Sequence, residues 1–190
     1  IVYFIIPNIK RLIDFASRNK ITIISSVDAH TPDDPEFKDF PPHCVINTPG
    51  SNKIEGTLTN NNLFITDTEQ PYSKNTLKGA QIIIPKNTID IFHNKNISKI
   101  VKLLGINNFV VFGVATEYCV KTAVIGLLQL GCAVFLIEDA IKAVKKQNGI
   151  DAIAEMKTRG TQVAMTEQML KEISCKYSIN QSFRYKRLKP

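Results

Sequence analysis

The chain has 190 residues, a formal net charge of +7 and 44% hydrophobic residues. This length is enough for one α/β domain with a sizeable core, and we expect a single domain over residues 1–190. No apolar run is long enough to cross a bilayer, which excludes a membrane-spanning protein. The four cysteines show neither CxxC pairs nor disulfide-scaffold spacing, so we expect reduced thiols and a cytoplasmic location.

Hydrophobic periodicity and Gly/Pro breakers predict helices that alternate with strands. In chain order the predicted elements are a helix at Pro7–Asn19, strands at Ile21–Val27, Leu63–Thr66 and Ala80–Pro85, a helix at Ser98–Leu104, a strand at Asn108–Val114, a helix at Glu117–Leu130, a strand at Ala133–Ile137, a helix at Gly149–Arg159, a strand at Thr161–Ala164 and a helix at Thr166–Ile173. This alternation predicts a three-layer α/β/α domain with a mostly parallel sheet. Ligands of such sheets bind beyond the carboxyl ends of the strands.

A candidate metal site follows the first predicted strand. Asp28 and His30 are two residues apart on an extended chain and point to the same side. His43 lies in the same long, aperiodic segment, which is of the kind that is functional or disordered. One carboxylate and two imidazoles suit a divalent ion with open positions. The alternative is a turn-forming Asp with two surface histidines, and Cys44 is a less suitable ligand.

Lys86 follows another predicted strand and can reach a cleft at the sheet edge. Its ammonium would stabilise a neighbouring thiolate and a developing oxyanion. The alternative is a solvated lysine at the end of a strand.

Cys119 is the candidate nucleophile. With Thr116 as the N-cap, it falls in the first turn of the predicted helix, where unpaired N–H groups and the helix dipole favour thiolate. A thiolate suits acyl transfer, and the backbone near Ala115 and Cys119 would form an oxyanion hole. A buried structural cysteine is the simpler alternative. A papain-type pair with a histidine base is a second one, although no local signature supports it.

The densest basic patch, at 184–189, lies in a C-terminal tail of about 176–190. Nucleic-acid binding and a solvated tail are the two interpretations, and we favour the tail because no stacking motif accompanies the charge.

An ordered set of motifs resembles the nicotinamidases of the isochorismatase-like cysteine hydrolase superfamily over about residues 6–170. The motifs are Asp28-Ala29-His30, Asp34-Pro35-Glu36-Phe37, Phe40-Pro41-Pro42-His43-Cys44-Val45, Thr48-Pro49-Gly50, Lys86, Gly113-Val114-Ala115-Thr116-Glu117-Tyr118-Cys119-Val120 and Ile137-Glu138-Asp139-Ala140.

The resemblance implies a deamidase of pyridine nucleotide salvage that converts nicotinamide to nicotinate and ammonia. It implies Cys119 as nucleophile, Lys86 as catalytic lysine, and zinc, iron or manganese bound by Asp28, His30 and His43. It also implies a cis peptide at Val114–Ala115. The expected partner is a small-molecule amide, without a membrane or specific nucleic acid, and a homo-oligomer is left open.

The chain departs from the family pattern at its start. The family carries a proton-transfer Asp at the end of a first strand, before the helix that matches Pro7–Asn19, and Ile1–Ile6 contains no acidic residue. We therefore expect that strand to be missing. We expect the chain to be an N-terminally truncated family member with weak or absent turnover. Two alternatives are another isochorismatase-like cysteine hydrolase and a catalytically dead metal-binding domain.

Overall fold

The computed structural model describes residues 3–175, and the basic tail at 176–190 lies outside them. Strands and helices alternate along most of the chain. The strands are β1 Ile23–Asp28, β2 Asn62–Phe64, β3 Gln81–Lys86, β4 Asn108–Val114, β5 Ala133–Lys142 and β6 Gln162–Ala164. The helices are α1 Ile6–Arg18, α2 Lys74–Leu77, α3 Ile97–Leu104, α4 Lys121–Gln129, α5 Lys146–Thr158 and a last helix, α6, at 166–175.

All of the strand pairs are parallel, as the alternation predicts. In the described residues the strands form two three-stranded sheets, ordered β1-β3-β2 and β4-β5-β6. β1 pairs with β3 so that Asp28 lies opposite Lys86 at the carboxyl ends of both strands. The register therefore places a carboxylate and an amine side by side at the sheet edge.

Helices flank the parallel sheets on both sides, which confirms the predicted α/β/α layering. Ile82 and Ile84 of β3 are fully buried in a main core that also contains Val124 of α4. Leu136 of β5 faces this core, whereas the next residue, Ile137, packs in a second cluster with residues of α1 and α6. Alternate side chains of one strand thus bury against different helical layers.

Several boundaries differ from the sequence-based prediction. β5 continues to Lys142, five residues beyond the predicted end at Ile137, and α2 is an additional short helix capped by the Ser73 side chain. Gly105 ends α3 with φ of 64°, as a C′ glycine should. Residues 3–5 form a turn, so no strand precedes α1 among residues 3–175.

The largest correction concerns the predicted helix at Glu117–Leu130. Its first part is a separate π-type turn, Thr116–Val120, and the regular helix α4 begins only at Lys121. The backbone of Tyr118, with φ of −116° and ψ of −106°, is not helical and breaks the pattern. Hydrophobic periodicity does not register such a break, because one non-helical residue leaves the spacing of apolar residues along the sequence unchanged. In residues 3–175 no helix is both long and apolar enough to span a membrane.

Candidate active site

The three predicted metal ligands lie together. Asp28 ends β1, and His30 forms an isolated parallel bridge with Val45 just beyond the strand. The bridge is made by His30 N–H to the Cys44 carbonyl at 3.1 Å and by the Ile46 N–H to the His30 carbonyl at 2.9 Å. This pairing returns the long loop to the sheet edge. The potential ligand atoms of Asp28, His30 and His43 consequently all lie within 4.8 Å of one another.

The two imidazoles are arranged as metal ligands would be. His30 is 1% exposed, and among the described residues neither of its ring nitrogens has a hydrogen-bond partner of good geometry. A buried, unpartnered ring nitrogen is costly unless something binds it. His43 Nδ1 lies 2.9 Å from the carbonyl oxygen of Pro41, which can only accept, so Nδ1 carries the proton and Nε2 is left as the basic nitrogen. These residues therefore fit a divalent ion.

Asp34 secures the far side of His30. Its Oδ2 lies 3.2 Å from His30 Nδ1, and both side chains are buried. Its Oδ1 accepts a 3.0 Å hydrogen bond from the Glu36 N–H, which caps the turn at Pro35–Lys38. That backbone hydrogen bond is the main reason why the pKa of Asp34 is lowered, and His30 and Asn87 lower it further.

Lys86 connects the candidate metal ligands to the thiol. Its ammonium donates to Asp28 Oδ1, to the Thr88 carbonyl at 2.8 Å and to Cys119 Sγ at 3.3 Å. Burial by itself would lower the pKa of Lys86, but the nearby charges of Cys119 and Asp28 outweigh burial and raise it. Lys86 is therefore a buried cation that faces the sulfur, and the alternative of a solvated lysine is wrong.

Cys119 lies in the π-type turn and not in the first turn of a regular helix. Thr116 is not the N-cap of this turn, since Ala115 holds that position and no side chain caps the turn. The sequence analysis expected a helix dipole to lower the pKa of Cys119, but the pKa is raised. Burial raises the pKa of Cys119, while Lys86 lowers it and Asp28 raises it. The Ala115 N–H also interacts with the sulfur and favours its charged form. The Val114–Ala115 peptide is cis, as the resemblance implies.

Glu117 is a site residue that the sequence analysis did not single out. Its buried carboxylate accepts hydrogen bonds from the Val144 N–H at 3.2 Å and the Lys145 N–H at 2.8 Å. These bonds fasten the turn that carries Cys119 to the segment after β5. A single acidic residue inside an apolar stretch was the available signal, because burial of such a residue requires partners.

Two phenylalanine rings pack near the site. Phe37 packs against both His30 and His43, with ring centroids 5.3 Å and 5.8 Å apart. Phe40 meets Tyr118, the neighbour of Cys119, edge to face at 5.5 Å. The sequence analysis named these residues only as parts of motifs. Phe37 therefore provides an apolar surface beside the candidate ligands, and Phe40 packs on the residue that precedes Cys119.

The papain-type alternative finds no support in the described part of the chain, where no histidine contacts the Cys119 sulfur. His93 instead lies 3.2 Å from Thr88 Oγ1 and is exposed. Cys44 has an unusual φ of 45° at the start of the bridge to His30, and burial raises the pKa of its thiol.

Fold and site together define an α/β protein with a polar centre at the carboxyl ends of parallel strands. Residues 4–168 match the Isochorismatase domain family, and the chain therefore belongs to that family. Its structure is the α/β fold of isochorismatase-like hydrolases. A comparison with curated protein sequences gave no significant match.

Solved structures of similar fold include amidases. A pyrazinamidase of Pyrococcus horikoshii in complex with zinc is 28% identical, with a TM-score of 0.67 over 85% of this chain and 84% of the other. A pyrazinamidase/nicotinamidase of Streptococcus mutans is 20% identical, with a TM-score of 0.70 over 86% of each chain. N-carbamoylsarcosine amidase of Thermoplasma acidophilum is 20% identical, with a TM-score of 0.67 over 87% and 84%.

Proposed function

We propose that the chain is a nicotinamidase-type amidohydrolase, a single domain over 1–190 that converts nicotinamide to nicotinate and ammonia in cytoplasmic NAD salvage. One observation carries the proposal: the Lys86 ammonium contacts both Asp28 of the candidate metal cluster and the sulfur of Cys119. A carboxamide beside the thiol would thus lie next to a group of ligands suited to a divalent ion. The resemblance of the motifs to nicotinamidases supports this substrate class.

In the proposed reaction Cys119 Sγ attacks the carboxamide carbon and forms a C–S bond. The carbonyl oxygen becomes an oxyanion, and we propose that the N–H groups of Ala115 and Cys119 stabilise it. Collapse breaks the C–N bond, and the nitrogen leaves as ammonia with the proton given up by the thiol. Water then attacks the thioester and breaks the C–S bond. One proton of the water returns to sulfur, and the other is lost to solvent when the released acid ionises to nicotinate.

Lys86 supplies the charge that this step needs. Because burial raises the pKa of Cys119, the thiolate depends on the adjacent cation. A zinc, iron or manganese ion held by Asp28, His30 and His43 would bind the pyridine nitrogen and orient the ring. The apolar surface of Phe40 beside Tyr118 suits a flat heteroaromatic ring.

The proposed reaction has no dedicated carboxylate for proton transfer among residues 3–175. The resemblance requires a carboxylate that relays the proton to ammonia, in addition to the one that binds metal. Among residues 3–175, Asp28 is the carboxylate that contacts Lys86, and the proposal already assigns it to the ion. We therefore propose slow turnover for the chain, since a relay through Lys86 or water would have to replace a dedicated base.

The direct test is ammonia release from nicotinamide by the metal-loaded chain, with zinc, iron and manganese supplied in turn. We expect slow release that Cys119→Ala abolishes, while Cys175→Ser, which removes an exposed thiol, leaves it unchanged. Equal release by Cys119→Ala and the unmodified chain would overturn the assignment of the nucleophile. Pyrazinamide and simple aliphatic amides in the same assay distinguish nicotinamide from substrates of other isochorismatase-like hydrolases.

A catalytically silent metal-binding domain is the second candidate, and the raised pKa of Cys119 favours it. It predicts stoichiometric metal on folded protein with no Cys119-dependent ammonia release. The same samples decide between the two candidates.

A further inference from the structure

We propose that Asp34 is a positioning residue that holds His30 in the tautomer able to bind a metal ion. The inference rests on the metal site of the proposed function and deepens it. Its geometric basis is the 3.2 Å approach of Asp34 Oδ2 to His30 Nδ1 in a buried setting.

A neutral imidazole carries one proton, and the other nitrogen offers a lone pair. A carboxylate has no proton to donate at neutral pH, so His30 Nδ1 beside it must carry the hydrogen. The lone pair is then on Nε2. Neither ring nitrogen makes a hydrogen bond of good geometry within the described residues, but it is Nδ1 that a carboxylate approaches, that of Asp34 at 3.2 Å. A carboxylate behind a ligating histidine fixes its orientation and increases its basicity, and such partners typically contribute about 10–100-fold in metal affinity.

Asp34 is itself rigidly held. Its N–H donates to the Thr31 carbonyl at 3.1 Å, and its Oδ1 accepts from the Glu36 N–H at 3.0 Å. Asn87 Nδ2 approaches Oδ2 at 3.4 Å, and Asn87 directly follows Lys86. The carboxylate therefore joins the loop after β1 to the loop after β3, and it ties the orientation of His30 to the strand end that carries the ammonium.

A capping role alone would also explain a buried Asp34, because the Glu36 hydrogen bond caps the turn at Pro35–Lys38. Asp34→Asn separates the two roles. The amide oxygen can still accept from Glu36 N–H, which preserves the cap. The amide NH2 then faces His30 Nδ1 and donates to it, which favours the opposite tautomer, with the proton on Nε2 where the ion would bind.

The experiment uses the full chain in two measurements. The first is competition between the protein and a chromophoric chelator for zinc, for the unmodified chain, Asp34→Asn and Asp33→Asn. The control removes the same charge from the exposed neighbour of Asp34. We expect zinc affinity to fall about 10–100-fold in Asp34→Asn and to stay unchanged in Asp33→Asn.

The second measurement is the tautomer of His30, from nitrogen-15 shifts of the metal-free protein at a pH above the titration of its histidines. The chain has three histidines, so the signals are assigned by single substitutions. We expect an Nδ1–H tautomer in the unmodified chain and in Asp33→Asn, and an Nε2–H tautomer in Asp34→Asn.

The outcomes separate this inference from the proposed function. An unmodified chain that binds no zinc would contradict the metal site, while the tautomer measurement would still test Asp34. Unchanged zinc affinity in Asp34→Asn, or an Nε2–H tautomer in the unmodified chain, would overturn the positioning role. Reduced affinity without a tautomer change would also overturn it, since a merely structural effect accounts for that result.

Discussion

The candidate site brings together side chains from three separate elements, namely Asp28, Lys86 and Cys119. Asp28 and Lys86 end neighbouring parallel strands, and Cys119 follows β4 in the π-type turn. The resulting order is carboxylate, ammonium, sulfur. Burial strengthens each of these interactions, because little water is present to screen them. Lys86 is the residue on which both the candidate metal ligand and the thiol depend.

Replacement of Lys86 by Met should make Cys119 less reactive at neutral pH. The ammonium lowers the pKa of Cys119 against the effect of burial, so its loss moves the pKa further upward. The thiolate fraction then falls roughly tenfold for each pKa unit. The measurement is the pH profile of iodoacetamide labelling at Cys119, followed by mass spectrometry of the labelled peptide.

Lys53→Met is the matched control, because Lys53 is a partly buried lysine that donates to Ser25 Oγ and not to the thiol. Its labelling profile should coincide with that of the unmodified chain. An unchanged profile in Lys86→Met would show that Lys86 does not govern the thiol.

At the scale of elements, β3 is central to its sheet and is buried on both faces. Ile82 and Ile84 face the main core, and Ile83 between them is also 0% exposed. A run of β-branched residues suits such a strand, because both faces of it pack against apolar layers. The same strand supplies buried isoleucines to the core and ends in Lys86 of the candidate site.

Ile82→Ala should lower the free energy of unfolding by about 2–5 kcal/mol through lost burial and a cavity. The control is Ile150→Ala on α5, where the side chain is half exposed, and its effect should stay within about 0.5 kcal/mol. Urea denaturation followed by circular dichroism measures both. Similar losses in the two variants would contradict the central place of β3 in the core.

The end of α3 gives a second test at this scale. Gly105 adopts φ of 64°, a conformation that costs a residue with a Cβ about 1–2 kcal/mol. Gly105→Ala should therefore destabilise the protein by about that amount in urea denaturation. Gly50→Ala, at a glycine without positive φ and with no Cβ contact closer than 3.7 Å, should leave stability unchanged or slightly increased. Equal effects would show that the C′ conformation is not the cause.

For the whole molecule, a metal ion would join the long loop to the ends of the sheet. Any ligand that binds only the folded state stabilises it, by about 2.7 kcal/mol at 100 times the dissociation constant. We therefore expect zinc to raise the melting temperature of the unmodified chain.

His43→Ala should abolish most of the zinc-dependent rise, because it removes one of three ligands. His93→Ala should retain the rise, since His93 lies outside the cluster and next to Thr88. Differential scanning calorimetry with and without zinc provides the measurement. A rise that survives in His43→Ala and disappears in His93→Ala would place the ion elsewhere.

Much of this molecule could be predicted from local patterns. The alternation of strands and helices, Gly105 as the end of α3, and the shared direction of Asp28 and His30 follow from periodicity, turn chemistry and side-chain direction along an extended chain. That His43 completes the ligand set was implied by the resemblance of the motifs. The fold of isochorismatase-like hydrolases and the cis peptide before Ala115 came from the resemblance of the motifs. Each of these depends on residues that are near one another in sequence or in a known order.

The sequence by itself determined the order of the elements, the parallel layering and the identity of the candidate ligands, because these depend on residue type and spacing. Only the tertiary structure decided the direction in which the pKa of Cys119 is shifted, the turn that replaces the first part of its helix, and the partners of Asp34 and Glu117. The physical reason is that desolvation and pairing depend on residues distant in sequence. Burial raised the pKa of the thiol where a regular helix would have lowered it, and no local pattern contains that information.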